Sequence, residues 1–277
     1  MRYSRLSTNF QNGNSIRSTV PLNDDQIMKV APSIFAEGEH ASRSDRYSFI
    51  PTNIILDNLR NEGFQPFMVC QTRSRIEGMH EFTKHMIRLR HADQITGKEA
   101  NEIILINSHN GASSYQMKAG VFRFVCQNGL VVGEDIADIR VQHKGDISGN
   151  VIEGAYEVLE SFKRVDESRE SMQALRLNDD QSYAFATAAL ELRFDTGNKP
   201  APVSPTQILR PNRIEDTDTD LWTTFNRVQE NLIRGGLRGR DAKGKRTTTR
   251  AVTGMDQDVK LNRALWVLSE EMRKIIA

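Results

Sequence analysis

Between about residues 65 and 144, apolar and polar side chains alternate with a period of two. On either side of that span the apolar positions recur every three or four residues. The change of period predicts a sheet flanked by helices. FMVCQTRSR and KHMIRLRH alternate apolar with polar or basic residues, EIILINS is rich in aliphatic side chains, and DIRVQHKG closes the span. Asn110-Gly111 and Asn128-Gly129 are both signals for tight hairpin turns, whereas parallel strands need crossovers of a dozen or more residues; the strands should be antiparallel. Upstream, TNIILDNLRNEGF puts Ile55, Leu56 and Leu59 on one face and stops at Gly63, predicting a helix over about 52–62. Downstream, Val151, Ala155, Val158 and Phe162 predict a helix over about 148–164. Phe185, Ala189 and Leu192 predict another over about 180–193, with the charged segment RVDESRES between the two. Packed on one sheet face, these helices make an α+β domain with a central antiparallel sheet.

Residues 1–25 are polar and aperiodic, as a flexible N-terminal tail would be, and the core domain is expected over 26–200. The stretch from 195 to 220 holds four of the eight prolines, which predicts a Pro-rich linker or strap over 201–218. A helical C-terminal section follows over 219–277. One amphipathic helix runs through Leu221, Phe225, Val228 and Leu232, and another through Leu261, Leu265, Leu268, Met272 and Ile275; Trp222 and Trp266 are expected inside. Between them lies the basic loop GGLRGRDAKGKRTTTR.

Charge and cysteine content narrow the function classes. The 277 residues carry 37 Lys and Arg against 36 Asp and Glu, so a net charge of +1 supplies no global field toward DNA or membrane, and any such attraction must be local. Two cysteines cannot staple a secreted scaffold, no apolar run approaches the roughly 20 residues of a membrane span, and MRYSRLSTNFQNGNS has no signal-peptide core. A soluble cytoplasmic protein without a membrane partner is expected. No nucleotide-binding, dinucleotide or zinc-finger pattern is present, and no cofactor or metal is expected.

Four stretches, RYSFIPTN, LINSHNGASSYQMKAGVFRFVCQNGLVVGE, LWTTFNRVQENLIRGGL and LNRALWVLSEEM, together resemble the bacterial domain-of-unknown-function family 932. The resemblance runs from about residue 30 onward. It implies a setting on prophages and conjugative plasmids, and with it nucleic-acid metabolism or defence evasion. It supplies no catalytic residues.

Cys126 stands just before Gln127-Asn128-Gly129, with His109 and His143 as the imidazoles that could activate it. Alternation puts Phe122, Phe124 and Cys126 on one strand face, and free cysteine is usually buried, so a core residue before a hairpin is the favoured reading. His80, His85 and His91 lack the spacing of a helix-borne metal pair. Asn107, Ser108, His109 and Asn110 form a polar cluster at a strand end that either satisfies a turn or lines a pocket. The basic residues carry the stronger signal. Arg73 and Arg75 share a face of one predicted strand and Arg88 and Arg90 of the next, with Arg123, Arg140 and Lys144 on later strands. Paired, these strands would form a basic sheet surface. Denser still is the run Arg234, Arg238, Arg240, Lys243, Lys245, Arg246 and Arg250, opposed only by Asp241 and interleaved with glycines and threonines. Flexible cations and hydroxyls of this kind suit nucleic-acid phosphates.

The expected partner is therefore nucleic acid, in particular single-stranded DNA by analogy of outline with phage annealing proteins, with a homo-oligomer as a further expectation. Two alternatives stay open. One is an inhibitor of a host defence protein, for which the acidic run Glu215, Asp216, Asp218 and Asp220 would matter. The other is a nucleic-acid-processing enzyme using His109, Cys126 and His143.

Overall fold

The computed structural model describes residues 14–40, 49, 51–96, 98–126, 128–133, 138–141, 147–194 and 200–277. The chain divides into two compact units, Met1–Phe162 and Lys163–Ala277, and the division falls inside a helix. The proline content predicts a boundary at 201–218 instead. Those prolines serve the second unit: Pro205 opens a short helix, α5 (Pro205–Ile208), which Ser204 and Gln207 cap reciprocally. Proline lacks the N–H that the first helical position leaves unbonded anyway, so here it starts a helix rather than marking a linker.

The first unit is built on one antiparallel sheet. Its strands are β1 (Asn14–Arg17), β2 (Phe64–Gln71), β3 (His85–His91), β4 (Ile95–Thr96), β5 (Glu99–Asn107), β6 (Tyr115–Arg123), β7 (Asn128–Val131) and β8 (Asp138–Val141). The order is β1-β2-β3-β5-β6-β7, with β4 on β5 and β8 on β6. β1 lies within the stretch expected as a tail, because Ser15 and Ile16 pair with Cys70 and Val69 of β2. Three helices belong here: α1 (Asp24–Val30), α2 (Thr52–Asn61) and the first half of α3 (Ile147–Ala174). The buried Ile55, Leu56 and Leu59 of α2, and Val151, Ala155 and Val158 of α3, meet a sheet face of Val69, Ile87, Leu89, Leu105 and Met117. Each such Val, Leu, Ile or Met side chain contributes about 1.5–3 kcal/mol on burial.

The other sheet face is also buried, because the sheet curls over it. β1 and β6 are four strand spacings apart in the order, about 19 Å if the sheet were flat. Nevertheless, the Arg17 guanidinium of β1 sits 5.2 Å from the Phe122 ring centre of β6.

Of the Asn-Gly pairs at 110–111 and 128–129, the first makes a turn and the second does not. Asn110 Oδ1 accepts from Ala112 N, and Gly111 takes φ +76° in the β5–β6 connection. Asn128 and Gly129 are instead paired residues of β7, opposite Arg123 and Phe122.

The second unit is helical. It comprises the rest of α3, α4 (Asp179–Phe194), α5, α6 (Leu221–Arg234) and α7 (Met255–Ile276), with a two-stranded hairpin of β9 (Arg238–Arg240) and β10 (Arg246–Thr248). RVDESRES lies inside α3 rather than between helices. α4 forms where the period predicts it, but packs on α5, α6 and α7. α6 is buried on every side from Leu221 to Ile233, with the Asp220 carboxylate accepting from Thr223 N at its start and Gly235 ending it at φ +63°. Trp222, Phe225 and Trp266 cluster at ring-centre distances of 5.5–6.3 Å, and both indoles are buried. Among the described residues no helix is long and apolar enough to cross a membrane.

Candidate functional site

The predicted basic surface of the sheet does not form. β3 directs Arg88 and Arg90 onto the concave, curled-over face, where both are buried. Glu102 of β5 lies between them, with its Oε2 2.6 Å from Arg88 Nε and its Oε1 accepting from Arg90 Nε at 2.9 Å. The Arg90 guanidinium is sandwiched 4.3 Å from the Phe67 ring centre and 4.0 Å from that of Phe122, and its burial lowers its pKa. Arg88 Nη2 donates to Leu130 O at 2.6 Å, through a gap left by two glycines. A Cβ on Gly129 would overlap the Arg88 guanidinium, and one on Gly120 would stand 2.9 Å from Arg88 Nη2. Buried arginines of this kind hold the sheet's shape and cannot meet an external polyanion. Arg123 is also buried, beside Glu99; Arg140 is exposed next to Asp138. Arg73 and Arg75 are exposed, in the connection after β2 rather than on a strand. Lys144 and His143 lie outside the described residues.

Cys126 and His109 do not come together either. Cys126 is buried between β6 and β7, its Sγ 3.8 Å from Arg123 O, just past the end of the β5–β6 ladder where Glu99 faces Arg123. His109 follows the opposite end of that ladder, about 25 Å away along strands of this length.

His109 joins a different group, which the sequence pattern does not reveal. Thr52, the first residue of α2, places Oγ1 3.0 Å from His85 Nε2, 3.2 Å from His109 Nε2, 3.1 Å from Asn107 Nδ2 and 3.3 Å from the Tyr115 hydroxyl. His85 Nδ1 continues to Ser33 Oγ at 2.8 Å, and Ser33 Oγ to Gln71 Oε1 at 2.8 Å. One hydroxyl donates once and accepts twice, so at most one of the two imidazoles can take the Thr52 proton. Burial, reinforced by the neighbouring His109, holds the His85 pKa well below its ordinary value. All these side chains are buried, so the group is a polar knot that ties α2 to β3, β5 and β6 rather than an open site. Among the described residues no cluster of three or more His, Cys, Asp or Glu could hold a metal.

The dense basic run resolves into a built structure. Residues 238–248 form a hairpin in which Arg246 faces Arg240 and Thr248 faces Arg238, so three arginines and a threonine occupy one exposed face. The acidic residue in the run is used in the turn: Asp241 Oδ1 accepts from Lys243 N and Lys245 N, both at 2.9 Å. Gly244 closes the turn at φ +78°, and its carbonyl accepts from Arg240 Nη1 at 2.7 Å. On the other side Gly239 of β9 is set against the proline stretch. Arg240 N donates to Pro202 O at 2.9 Å, Gln207 Nε2 donates to Arg238 O at 2.8 Å, and a Cβ on Gly239 would collide with the Pro202 carbonyl. Among the described residues Arg238, Arg246, Lys243 and Lys245 have no acidic partner. Arg250 is exposed beside the hairpin, its carbonyl accepting from Arg193. Arg234 is excluded: it pairs with the buried Glu230, which also takes a two-pronged contact from Arg213. The period-two pattern RGR and RTT around Asp-Ala-Lys-Gly-Lys is the signal that announces this hairpin.

The acidic run is largely spent within the same unit. Asp216 is buried on Arg213, Asp218 pairs with Arg176, and Asp220 caps α6.

Comparison with known proteins places this two-unit architecture in a class defined by sequence rather than by activity. Residues 39–266 match the family described as a domain of unknown function, DUF932, a span that includes the sheet from β2 onward and the basic hairpin. The chain belongs to that family. It is 56% identical over 269 residues to the UPF0380 proteins YafZ and YfjQ of Escherichia coli (strain K12), covering 97% of this chain and 98% of each relative. No solved structure matches.

Proposed function

We propose that this protein binds nucleic acid through the β9–β10 hairpin, with its cations on the phosphate backbone. The observation that supports the reading is the alignment of Arg238, Arg240 and Arg246 on one exposed face while Asp241 is turned into the loop. Arg240 and Arg246 stand directly opposite each other, and like charges so placed destabilise a strand pair by up to about 1 kcal/mol. A polyanion lying on that face converts the repulsion into attraction. Lys243 and Lys245 at the turn extend the positive surface, and the backbone bonds to Pro202 and Gln207 keep it ordered before any ligand arrives.

The test is fluorescence anisotropy with labelled DNA across a salt series, comparing the unmodified protein with the quadruple variant Arg238→Ala, Arg240→Ala, Lys245→Ala, Arg246→Ala. The variant should bind more weakly, and its logarithmic salt slope should shrink by up to about 0.7 per lost contact on single strands or 0.9 on duplex. Folding should change by no more than about 0.5 kcal/mol for each exposed position. Equal affinity and slope in the two proteins, or no binding by the unmodified protein at low salt, would overturn the reading.

A further inference from the structure

We infer that the nucleic acid taken by the hairpin is B-form duplex DNA, entered from the major groove with Arg238, Arg240 and Arg246 toward the base edges. The inference rests on the hairpin being a nucleic-acid interface and goes beyond it by naming the form of the ligand. Four features of the hairpin carry it.

The first is shape. A major groove about 12 Å wide admits a two-stranded ribbon lying flat on its floor. Such a ribbon needs one face for the bases and one for the body of the protein, and β9–β10 has that division: Gly239, opposite Thr247, lies against Pro202 and Val203, while the arginine face is exposed. The second is chemistry. Arginine is the side chain that donates two parallel hydrogen bonds to guanine O6 and N7, and threonine contacts several base edges. Among the described residues only the Nη1 of Arg240 is engaged, on Gly244 O, and its Nε–Nη2 edge faces the open side for a paired contact. The third is spacing. Arg238 and Arg240 are two residues apart on one strand, about 6.6 Å, and Arg246 lies across from Arg240, so the three guanidiniums can reach neighbouring base pairs together. Lys243 and Lys245, beyond the strands, are placed for the flanking phosphates.

The fourth feature separates duplex from single strand. Proteins that grip single strands stack unpaired bases on aromatic rings. Residues 235–253, GGLRGRDAKGKRTTTRAVT, contain none. The single-strand preference expected from general outline therefore has no platform on this hairpin. Double-stranded RNA is also disfavoured, because its major groove is deep and too narrow for side chains to read.

Anisotropy with a GC-rich DNA duplex, each of its single strands and the matching RNA duplex, compared at one salt concentration and then across a salt series, tests this directly. The DNA duplex should bind about tenfold tighter than the other forms. Replacing guanine by 7-deazaguanine, which lacks the N7 acceptor, should weaken duplex binding severalfold. The charge-conserving variant Arg238→Lys, Arg240→Lys, Arg246→Lys should lose the preference for the normal over the deaza duplex while retaining the salt slope of the unmodified protein. Single strands bound as tightly as duplex, or indifference to the deaza substitution, would overturn the major-groove assignment and leave the phosphate-binding reading standing. Absence of binding to every form would remove both.

Discussion

Gly129 shows how one position can be misjudged from its neighbours. Beside Asn128 it reads as the second residue of a tight turn, yet it is a paired β7 residue outside the positive-φ glycines, and its lack of a side chain makes room for Arg88. Gly129→Ala should therefore strain no backbone but push the guanidinium off Glu102. Breaking a buried ion pair costs about 3–5 kcal/mol, and urea denaturation should show a loss of that order. A loss under 1 kcal/mol would mean that Arg88 has another route to the carboxylate. His85 makes a second prediction at this level. Its folded pKa lies below the unfolded value near 6.5, so between those two values the unfolded chain binds the extra proton and stability rises with pH. The contribution is fully present above about pH 6.5 and declines on acidification, by up to about 1.4 kcal/mol per pH unit, levelling off beneath the folded pKa. Urea midpoints measured from pH 7.5 to 5.5 should fall, and His85→Gln should flatten that dependence even though it lowers stability overall.

The hairpin and α6 make opposite use of charge. In β9–β10 the facing Arg240 and Arg246 repel, so Arg246→Glu should strengthen the hairpin by roughly 0.5 kcal/mol while weakening binding to DNA. Amide exchange at Thr249, whose N–H donates to Leu237 O at 2.9 Å across the hairpin, reports the first effect, and anisotropy the second. Slower exchange with undiminished affinity would detach the arginine face from binding. Along α6 the buried Glu230 is held by Arg213 and Arg234. Arg213→Ala withdraws the two-pronged partner and also leaves Asp216 buried without it, so about 3–5 kcal/mol should be lost in thermal or urea unfolding. Arg234→Ala should cost less, because Arg234 is the more exposed of the two partners.

Across the chain, a net charge of +1 means that long-range attraction to a polyanion depends on where the cations are concentrated. The two units offer different surfaces. In the first, Arg88, Arg90 and Arg123 are internal, while Arg73, Arg75 and Arg140 are exposed, Arg140 beside Asp138; in the second, the hairpin concentrates its cations on one ordered face. Arg73→Ala with Arg75→Ala should accordingly leave DNA affinity within about twofold, whereas the hairpin quadruple variant loses much of it. A large loss in the double variant would move the interface to the first unit.

The periodicity along the chain determined the α+β class, the antiparallel strands between 65 and 144, the helix at 52–61 and the buried C-terminal tryptophans, because a half-buried strand or helix repeats its burial at its own geometric period. The family, too, was legible in long local phrases. Three matters were decided only in three dimensions. Alternation told that Arg88 and Arg90 share a face but not that the sheet curls over that face, since closure depends on strand pairing across the sheet. Proline content marked 201–218 as a linker or strap but not that this stretch starts α5 and, with Pro202, backs the hairpin. His109 could be paired on paper with either Cys126 or His85. The antiparallel register of β5 and β6 sends Cys126 to one end of the ladder and brings His109 to Thr52 and His85 at the other, a choice set by contacts between residues 10 to 57 positions apart.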